Sequence, residues 1–123
     1  MTETLTLIVQ DGEDIFNAIE DFTKQNDIGY GMVVSAKGAM KKFNLIGHGR
    51  KGTIDNVSNT AEFEVDAMSG KIQKKGDKVT VKMNALVSSS GFTPLSGELI
   101  SGKASGKLVI GIKKIDLKKM IEA

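Results

Sequence analysis

The feature that most limits the possible folds is that, beyond residue 30, apolar side chains recur with the period of β-strands rather than helices. Residues 60–68 and 78–87 carry this pattern most clearly. Their apolar positions are Ala61, Phe63, Val65 and Ala67 in the first stretch, and Val79, Val81, Met83 and Ala85 in the second. Strict alternation of this kind is typical of strands that bury one face. We therefore expect most of the chain to form a sheet.

One segment near the N-terminus has the period of a helix instead. Its apolar side chains recur at spacings that place them on one helix face, namely Ile15, Ala18, Ile19 and Phe22. Asp11 precedes them and is predicted to cap the helix, which should end near Asn26. A short second helix is predicted from Asp116 onward.

Further short strands are predicted between these features, at residues 4–10, 31–35, 43–46, 70–73, 95–100 and 107–113. One main helix followed by consecutive strands predicts an α+β fold with a mainly antiparallel sheet. A single helix covers only one face of such a sheet. We therefore expect self-assembly to bury apolar side chains on the other face, for which the candidates are Val79, Val81 and Met83.

The length and composition of the chain limit the class of protein further. A chain of 123 residues has the size of one domain, which we assign to residues 1–123. Cysteine is absent, which excludes disulfides, thiol catalysis and cysteine-held zinc. We identify no signal peptide, and no apolar run approaches the roughly 20 residues of a membrane span. A cytoplasmic protein without membrane contact is expected.

The charges are unevenly distributed along the chain. The first 30 residues contain seven acidic residues and one lysine, whereas the remainder contains twice as many basic as acidic residues. One basic group surrounds a predicted turn and is the candidate nucleic-acid contact, formed by Lys71, Lys74, Lys75 and Lys78. A net charge of +2 is small for a DNA-binding protein, so ordinary solvated lysines are the alternative interpretation.

Three motif-like features predict no catalytic site. His48 is the only histidine, and it lies between two glycines in a predicted loop. Residues 88–90 are serines without a partner base in the sequence, so they predict a turn. Residues 47–52 spell G-x-G-x-x-G but do not open a predicted helix, as a dinucleotide-binding motif must.

Five short motifs, taken in order along the chain, resemble those of the plants and prokaryotes conserved (PPC) domain family. They are residues 12–15 (GEDI), 33–39 (VVSAKGA), 63–72 (FEVDAMSGKI), 96–102 (SGELISG) and 108–110 (LVI). No single motif is specific, but their order and spacing hold along nearly the whole chain. The resemblance implies a seven-stranded, mainly antiparallel sheet with one helix packed on it, assembled as a homotrimer.

The resemblance also implies a metal site whose ligands are replaced in this chain. The family places three histidines at positions that correspond here to Lys82, Asn84 and Glu98. A protonated lysine has no free electron pair, an amide carbonyl is a poor zinc ligand, and one carboxylate cannot hold zinc alone. We therefore expect no metal and no cofactor. The fold of the family is similar to that of acetolactate decarboxylase, whose zinc is held by histidines.

Two functional hypotheses follow. In the first, the chain is a homotrimeric, non-enzymatic binding module that associates weakly and non-specifically with DNA or has a regulatory role. The AT-hook of the plant family members is absent, since Arg50 is the only arginine. In the second, it is an enzyme or binding protein for a small anionic ligand, with a pocket formed by Lys82, Asn84, Glu98, Lys37 and Gly38. Lys82 and Glu98 could instead form a structural cross-strand ion pair.

Overall fold

The computed structural model of the chain describes residues 3–48, 54–59, 62–89 and 92–115. In chain order its elements are β1 (Glu3–Val9), α1 (Ile15–Gln25), β2 (Tyr30–His48), β3 (Ile54–Asn59), β4 (Phe63–Lys75), β5 (Lys78–Ser89) and β6 (Phe92–Lys114). Every strand pairing in these residues is antiparallel, which confirms the predicted α+β class. The helix predicted from Asp116 lies outside the described residues.

The described part of the chain has six strands, so the expected number of about seven is wrong. Segments predicted as separate strands are joined, in the pairs 31–35 with 43–46, 60–68 with 70–73, and 95–100 with 107–113. β3 was not predicted. The joined strands continue through glycines with positive φ, Gly38 at +138° in β2 and Gly106 at +65° in β6. Bulges in the β2–β6 ladder also bend these strands without ending them.

The strand order is β1-β6-β5-β4-β2-β3, with an additional pairing of β6 with β2. The β2–β6 ladder is the longest, and it runs from Gly31 opposite Lys114 to Ile46 opposite Glu98. Since β4 pairs with β2, β5 with β6, and β4 with β5, these four strands form a closed circuit of ladders. β1 and β3 pair with the outer edges of β6 and β2.

The helix packs against β6, β1 and β5 and buries the face predicted for it. Ile15 and Ile19 are fully buried, and the hydroxyl of buried Thr23 donates to the carbonyl oxygen of Ile19 at 2.7 Å. Its end at Asn26 agrees with the prediction. Among the described residues, no helix has the length and apolar character needed to cross a bilayer.

The predicted helix cap is wrong by one turn. Asp14 caps α1, because its carboxylate accepts a hydrogen bond from the backbone N–H of Asn17 at 3.0 Å. Asp11 instead accepts from the backbone N–H of Gly106 at 2.9 Å and from the Lys41 ammonium at 3.0 Å. The Gly106 hydrogen bond, followed by Lys41, lowers the pKa of Asp11. Asp11 therefore ties the start of the helix to β6 and β2.

The apolar side chains expected to require self-assembly face the core instead. Met83 is fully buried, and Val79 and Val81 pack against the core cluster. The exposed large apolar side chains, 36–47% accessible, are Ile8, Met32, Val34, Leu86, Ile100 and Val109. Because successive side chains of a strand point to opposite faces of the sheet, these exposed residues lie on the face that points away from the core. We call the sheet face that carries them the outer face.

Candidate functional site

The β4–β5 hairpin determines which side chains meet on the outer face. Its two-residue turn has Gly76 at the first central position with φ of +62°, the conformation that a type II′ turn requires there. Lys75 and Lys78 flank the turn and are directly opposite each other. The register continues without a shift to the Lys71–Lys82 pair and then to the Ser69–Asn84 pair.

Lys71 and Lys82 belong to a longer cross-strand row. Met32 on β2 is opposite Lys71, and Lys113 on β6 is opposite Met32. Directly opposite residues share a face of the sheet, so three ammonium groups lie on one side. The ion pairs found in the described part of the chain involve other lysines, namely Lys24, Lys41 and Lys74.

A cleft of about 340 Å³ lies on the outer face at this row. Its lining consists of Met32, Ser69, Gly70, Lys71, Lys82 and Asn84. Gly70 permits the close approach of β4 and β5 here, since a Cβ on it would collide with the carbonyl oxygen of Lys82. No carboxylate is part of this lining. The cleft therefore offers only cationic and neutral polar groups to a ligand.

Two of the five predicted pocket residues, Lys82 and Asn84, line this cleft. Glu98 is opposite Asn84 on β6 but does not contribute to the lining. Within the described residues, Lys82 and Glu98 form neither an ion pair nor a hydrogen bond with each other, so the structural pair considered above is not made. No carboxylate therefore accompanies Lys82 in the lining of this cleft.

The other two predicted pocket residues, Lys37 and Gly38, line a different cleft of about 480 Å³. This cleft also contains Glu62, Glu64 and Lys107, and the hydroxyl of Ser105 donates to Glu62 at 2.8 Å. We call it the mixed-charge cleft. The predicted single pocket is thus divided between two sites, because Gly38 is opposite Val65 on β4, six residues along that strand from the Lys71–Lys82 pair.

The predicted nucleic-acid contacts are divided in a similar way. Lys71, Lys75 and Lys78 are exposed and alternate onto the outer face, together with Lys82. Lys74 lies on the opposite face, where its ammonium pairs with Asp27 at 3.2 Å and its backbone N–H donates to Gly29. Lys74 is therefore not part of the basic group, and Lys82 and Lys113 are added to it.

An apolar band, formed by the exposed side chains of Val34, Leu86 and Ile8, crosses the outer face between the lysine row and the mixed-charge cleft. Val34 and Leu86 line a third cleft, of about 580 Å³, together with small polar side chains that include Ser69, Asn84 and Ser96. Ile8 is opposite Val109 on β6. The hairpin register would have indicated Lys71 and Ser69 from the sequence, since a two-residue turn defines the opposite pairs along its strands up to the first bulge, which lies beyond Ser69.

The remaining motif-like residues add little to the site. His48 is the last residue of β2 and pairs with β3, so its placement in a loop is wrong. Ser88 belongs to β5 and lines the mixed-charge cleft. Residues 49–53 of the glycine-rich motif lie outside the described residues. In the part of the chain that is described, no three His, Asp or Glu side chains cluster as a metal site would require.

Comparison with known proteins identifies the family and the fold. A family model described as the Plants and Prokaryotes Conserved (PCC) domain matches residues 1–116. No curated protein matches the chain. A plant- and prokaryote-conserved protein from Pyrococcus horikoshii has a similar solved structure, with a TM-score of 0.78 and 16% identity over 93% of this chain and 79% of that chain.

Two further solved structures are similar. One is a candidate DNA-binding protein from Bacteroides thetaiotaomicron, with a TM-score of 0.78 and 19% identity over 92% of this chain and 79% of that chain. The other is a metal-containing protein from Archaeoglobus fulgidus, with a TM-score of 0.76 and 18% identity over 91% of this chain and 79% of that chain. At these identities the likeness is one of fold.

Proposed function

This chain belongs to the Plants and Prokaryotes Conserved domain family, and on that premise we propose that it is a homotrimeric module that associates weakly with DNA through lysines of its outer sheet face. The name of the Bacteroides relative is in line with this role. The family establishes the fold, whereas the charges of this chain support the proposed partner.

The observation that carries the proposal is the group of outer-face lysines without acidic partners. Its members, which we call the outer lysines, are Lys71, Lys75, Lys78, Lys82 and Lys113. In the described part of the chain none of them forms an ion pair. Unpaired ammonium groups on one face attract the phosphate backbone and release its counterions on contact. Trimer symmetry would repeat the group three times.

The same face has few groups that could read a base sequence. Phosphate contacts orient a protein on DNA, whereas hydrogen bonds to base edges provide sequence discrimination. Among the described aromatic side chains, Tyr30 alone lies near the outer lysines, opposite Gln73. One partly exposed ring does not make a row on which successive bases could stack. We therefore expect binding that tolerates any sequence.

Salt dependence tests the DNA contact. We expect a Kd on the order of 10⁻⁴–10⁻⁶ M at physiological salt, weakening steeply as salt is added. Replacing Lys71, Lys75 and Lys78 with glutamine should weaken binding to all sequences alike and reduce the salt slope by roughly 1 for each phosphate that the variant no longer neutralises. Fluorescence anisotropy with labelled duplexes at several salt concentrations measures both quantities.

The matched control replaces the three ion-paired lysines, Lys24, Lys41 and Lys74, with glutamine. It removes the same charge from other parts of the surface, so its salt slope should stay close to that of the wild type. Absence of binding even at low salt would refute the DNA contact. Tight binding of a single sequence with little salt dependence would also refute it, since that requires groups that read bases.

The trimer is supported by the apolar band of the outer face. Val34 is 47% exposed, Leu86 39% and Ile8 47%, and they lie on the face that α1 does not cover. A cyclic trimer uses two different patches that complement each other. On this face the outer lysines lie on one side of the band, and the mixed-charge cleft lies on the other. Packing the band of one protomer against its neighbour would bury these apolar side chains and leave the charged groups, including the outer lysines, at the solvent-accessible rim.

Light scattering tests the assembly. The wild-type mass should be three times the 13.2 kDa of one chain at micromolar concentration. Replacing Val34 with aspartate should dissociate the trimer, because an unpaired carboxylate buried in an apolar contact is costly. Replacing Thr80 with aspartate, also exposed on the outer face but beyond the band, should leave the trimer intact. A wild-type mass of 13.2 kDa would contradict the proposal.

A further inference from the structure

The cross-strand pair of Lys71 and Lys82 is electrostatically unfavourable as it stands. The two residues are directly opposite each other on β4 and β5. Like charges in this position repel and destabilise the sheet. None of the described carboxylates pairs with either ammonium group, and Lys113 adds a third positive charge to the same row. An anion bound between the two lysines would remove this repulsion.

The next pair on the same face supplies neutral donors. Ser69 is directly opposite Asn84, two residues along each strand from the lysines. A serine hydroxyl and an asparagine NH₂ group can both donate hydrogen bonds. All four side chains line the cleft of about 340 Å³, whose remaining lining is Met32 and Gly70. Two cations and two neutral donors are therefore placed on one face by alternate residue pairs of the β4–β5 ladder.

We propose that this cleft binds one phosphate group, with the ammonium groups of Lys71 and Lys82 on either side and donors from Ser69 and Asn84. A phosphate dianion matches the two positive charges and offers several acceptor oxygens, whereas a carboxylate carries one charge and two oxygens. Hydrogen bonds in which both partners are charged are stronger than neutral ones. The absence of any acid from the lining removes the main source of repulsion for such a ligand.

Inorganic phosphate and a phosphate monoester offer this dianion, whereas the backbone of a nucleic acid offers phosphate groups that each carry one negative charge. The assignment of the nucleic-acid source rests on the proposed function, whereas binding of a free phosphate group does not. The positions that carry histidines in the family are occupied here by a lysine and an amide in the cleft, so the site is suited to an anion rather than a metal cation.

Titration with inorganic phosphate tests the site directly. The full chain is titrated at neutral pH and constant ionic strength, with chloride as the balancing anion, while amide resonances are followed by NMR. We expect saturable shifts at Gly70 and Asn84. Replacing Lys71 and Lys82 together with glutamine should weaken phosphate binding by about tenfold or more. Because both side chains are exposed, the variant should retain a dispersed spectrum.

The hairpin provides a matched control in Lys75 and Lys78, which are also directly opposite each other. Replacing both with glutamine removes the same charge but leaves the cleft lining unchanged. Lys75 is four residues along the strand from Lys71, or about 13 Å at the rise of a strand. This exceeds the Debye length of about 10 Å at 0.1 M salt, so phosphate affinity should change less than about twofold.

Several results would overturn the inference. The inference would be wrong if phosphate failed to shift Gly70 and Asn84 saturably, or if both double variants lost affinity equally. It would also be wrong if acetate shifted the same amides as strongly as phosphate. A parallel titration with duplex DNA separates this inference from the proposed function. DNA binding without phosphate binding would overturn the cleft site alone. Phosphate binding in the cleft without DNA binding would support the site, assign it to free phosphate groups, and overturn the proposed function.

Discussion

Replacing Phe63 with alanine is expected to lower the free energy of unfolding by about 3–5 kcal/mol. Phe63 is 1% exposed and forms an edge-to-face pair with Phe43, with 5.2 Å between ring centroids and 80° between ring planes. Phe63 begins β4 and Phe43 belongs to β2, so the pair joins two strands of the closed circuit. Alanine removes the ring and leaves a cavity that the surrounding strands cannot fill.

Urea denaturation followed by circular dichroism measures this effect. Variants must be compared at one protomer concentration, because assembly contributes to the apparent stability. Replacing Phe63 with leucine is the control, since it preserves most of the volume and should cost less than about 1.5 kcal/mol. An alanine variant that loses no more than the leucine variant would show that Phe63 is not tightly packed.

Replacing Gly70 with alanine is expected to cost about 1–3 kcal/mol or more and to disturb the cleft that we propose binds phosphate. The added Cβ would lie 2.8 Å from Met83 Cγ and 3.0 Å from Met83 Cα, and closer still to the carbonyl oxygen of Lys82. Two of these three atoms belong to the backbone of β5. The strands can relieve the overlap only by separating at the Gly70–Met83 pair, which would also move Lys82 relative to Lys71.

Gly29 is the matched control for Gly70. A Cβ added there would meet no atom within 4 Å, and its φ lies outside the left-handed region. Replacing it with alanine should change stability by less than about 0.5 kcal/mol. Denaturation of both variants, with phosphate titration of the Gly70 variant, tests the argument. Equal stability of the two variants would show that β4 and β5 are not held at this spacing.

Local patterns predicted the helix and several strand segments, but not β3 or the joining of segments into longer strands. Alternation at residues 60–68 and 78–87 predicted two strands that the structure confirms within β4 and β5, and helical spacing predicted the buried face of α1. These predictions succeed because one-sided burial imposes a period that depends only on the geometry of a strand or helix. The helix cap was misplaced because Asp11 and Asp14 are both suitable capping residues, and only contacts with Gly106 and Lys41 distinguish them.

The candidate site was only partly predictable, because some of its residues are brought together by local geometry and others by pairing between distant strands. Lys82 and Asn84 share a face because they are two residues apart on one strand, and the hairpin turn places Lys71 and Ser69 opposite them. These relations are local. The separation of Lys37 and Gly38 from that pair depends on the ladder between β2 and β4, in which Gly38 is opposite Val65.

The amino-acid sequence by itself thus determined the helix, the alternating strands and, through its turn, the register of the β4–β5 hairpin. Tertiary structure alone decided how many strands form, which lysines remain unpaired and which clefts open on the outer face. The physical reason is that a one-residue shift in strand pairing exchanges the two faces of a strand. The positions of such shifts in the β2–β6 ladder depend on contacts between residues that are far apart along the chain.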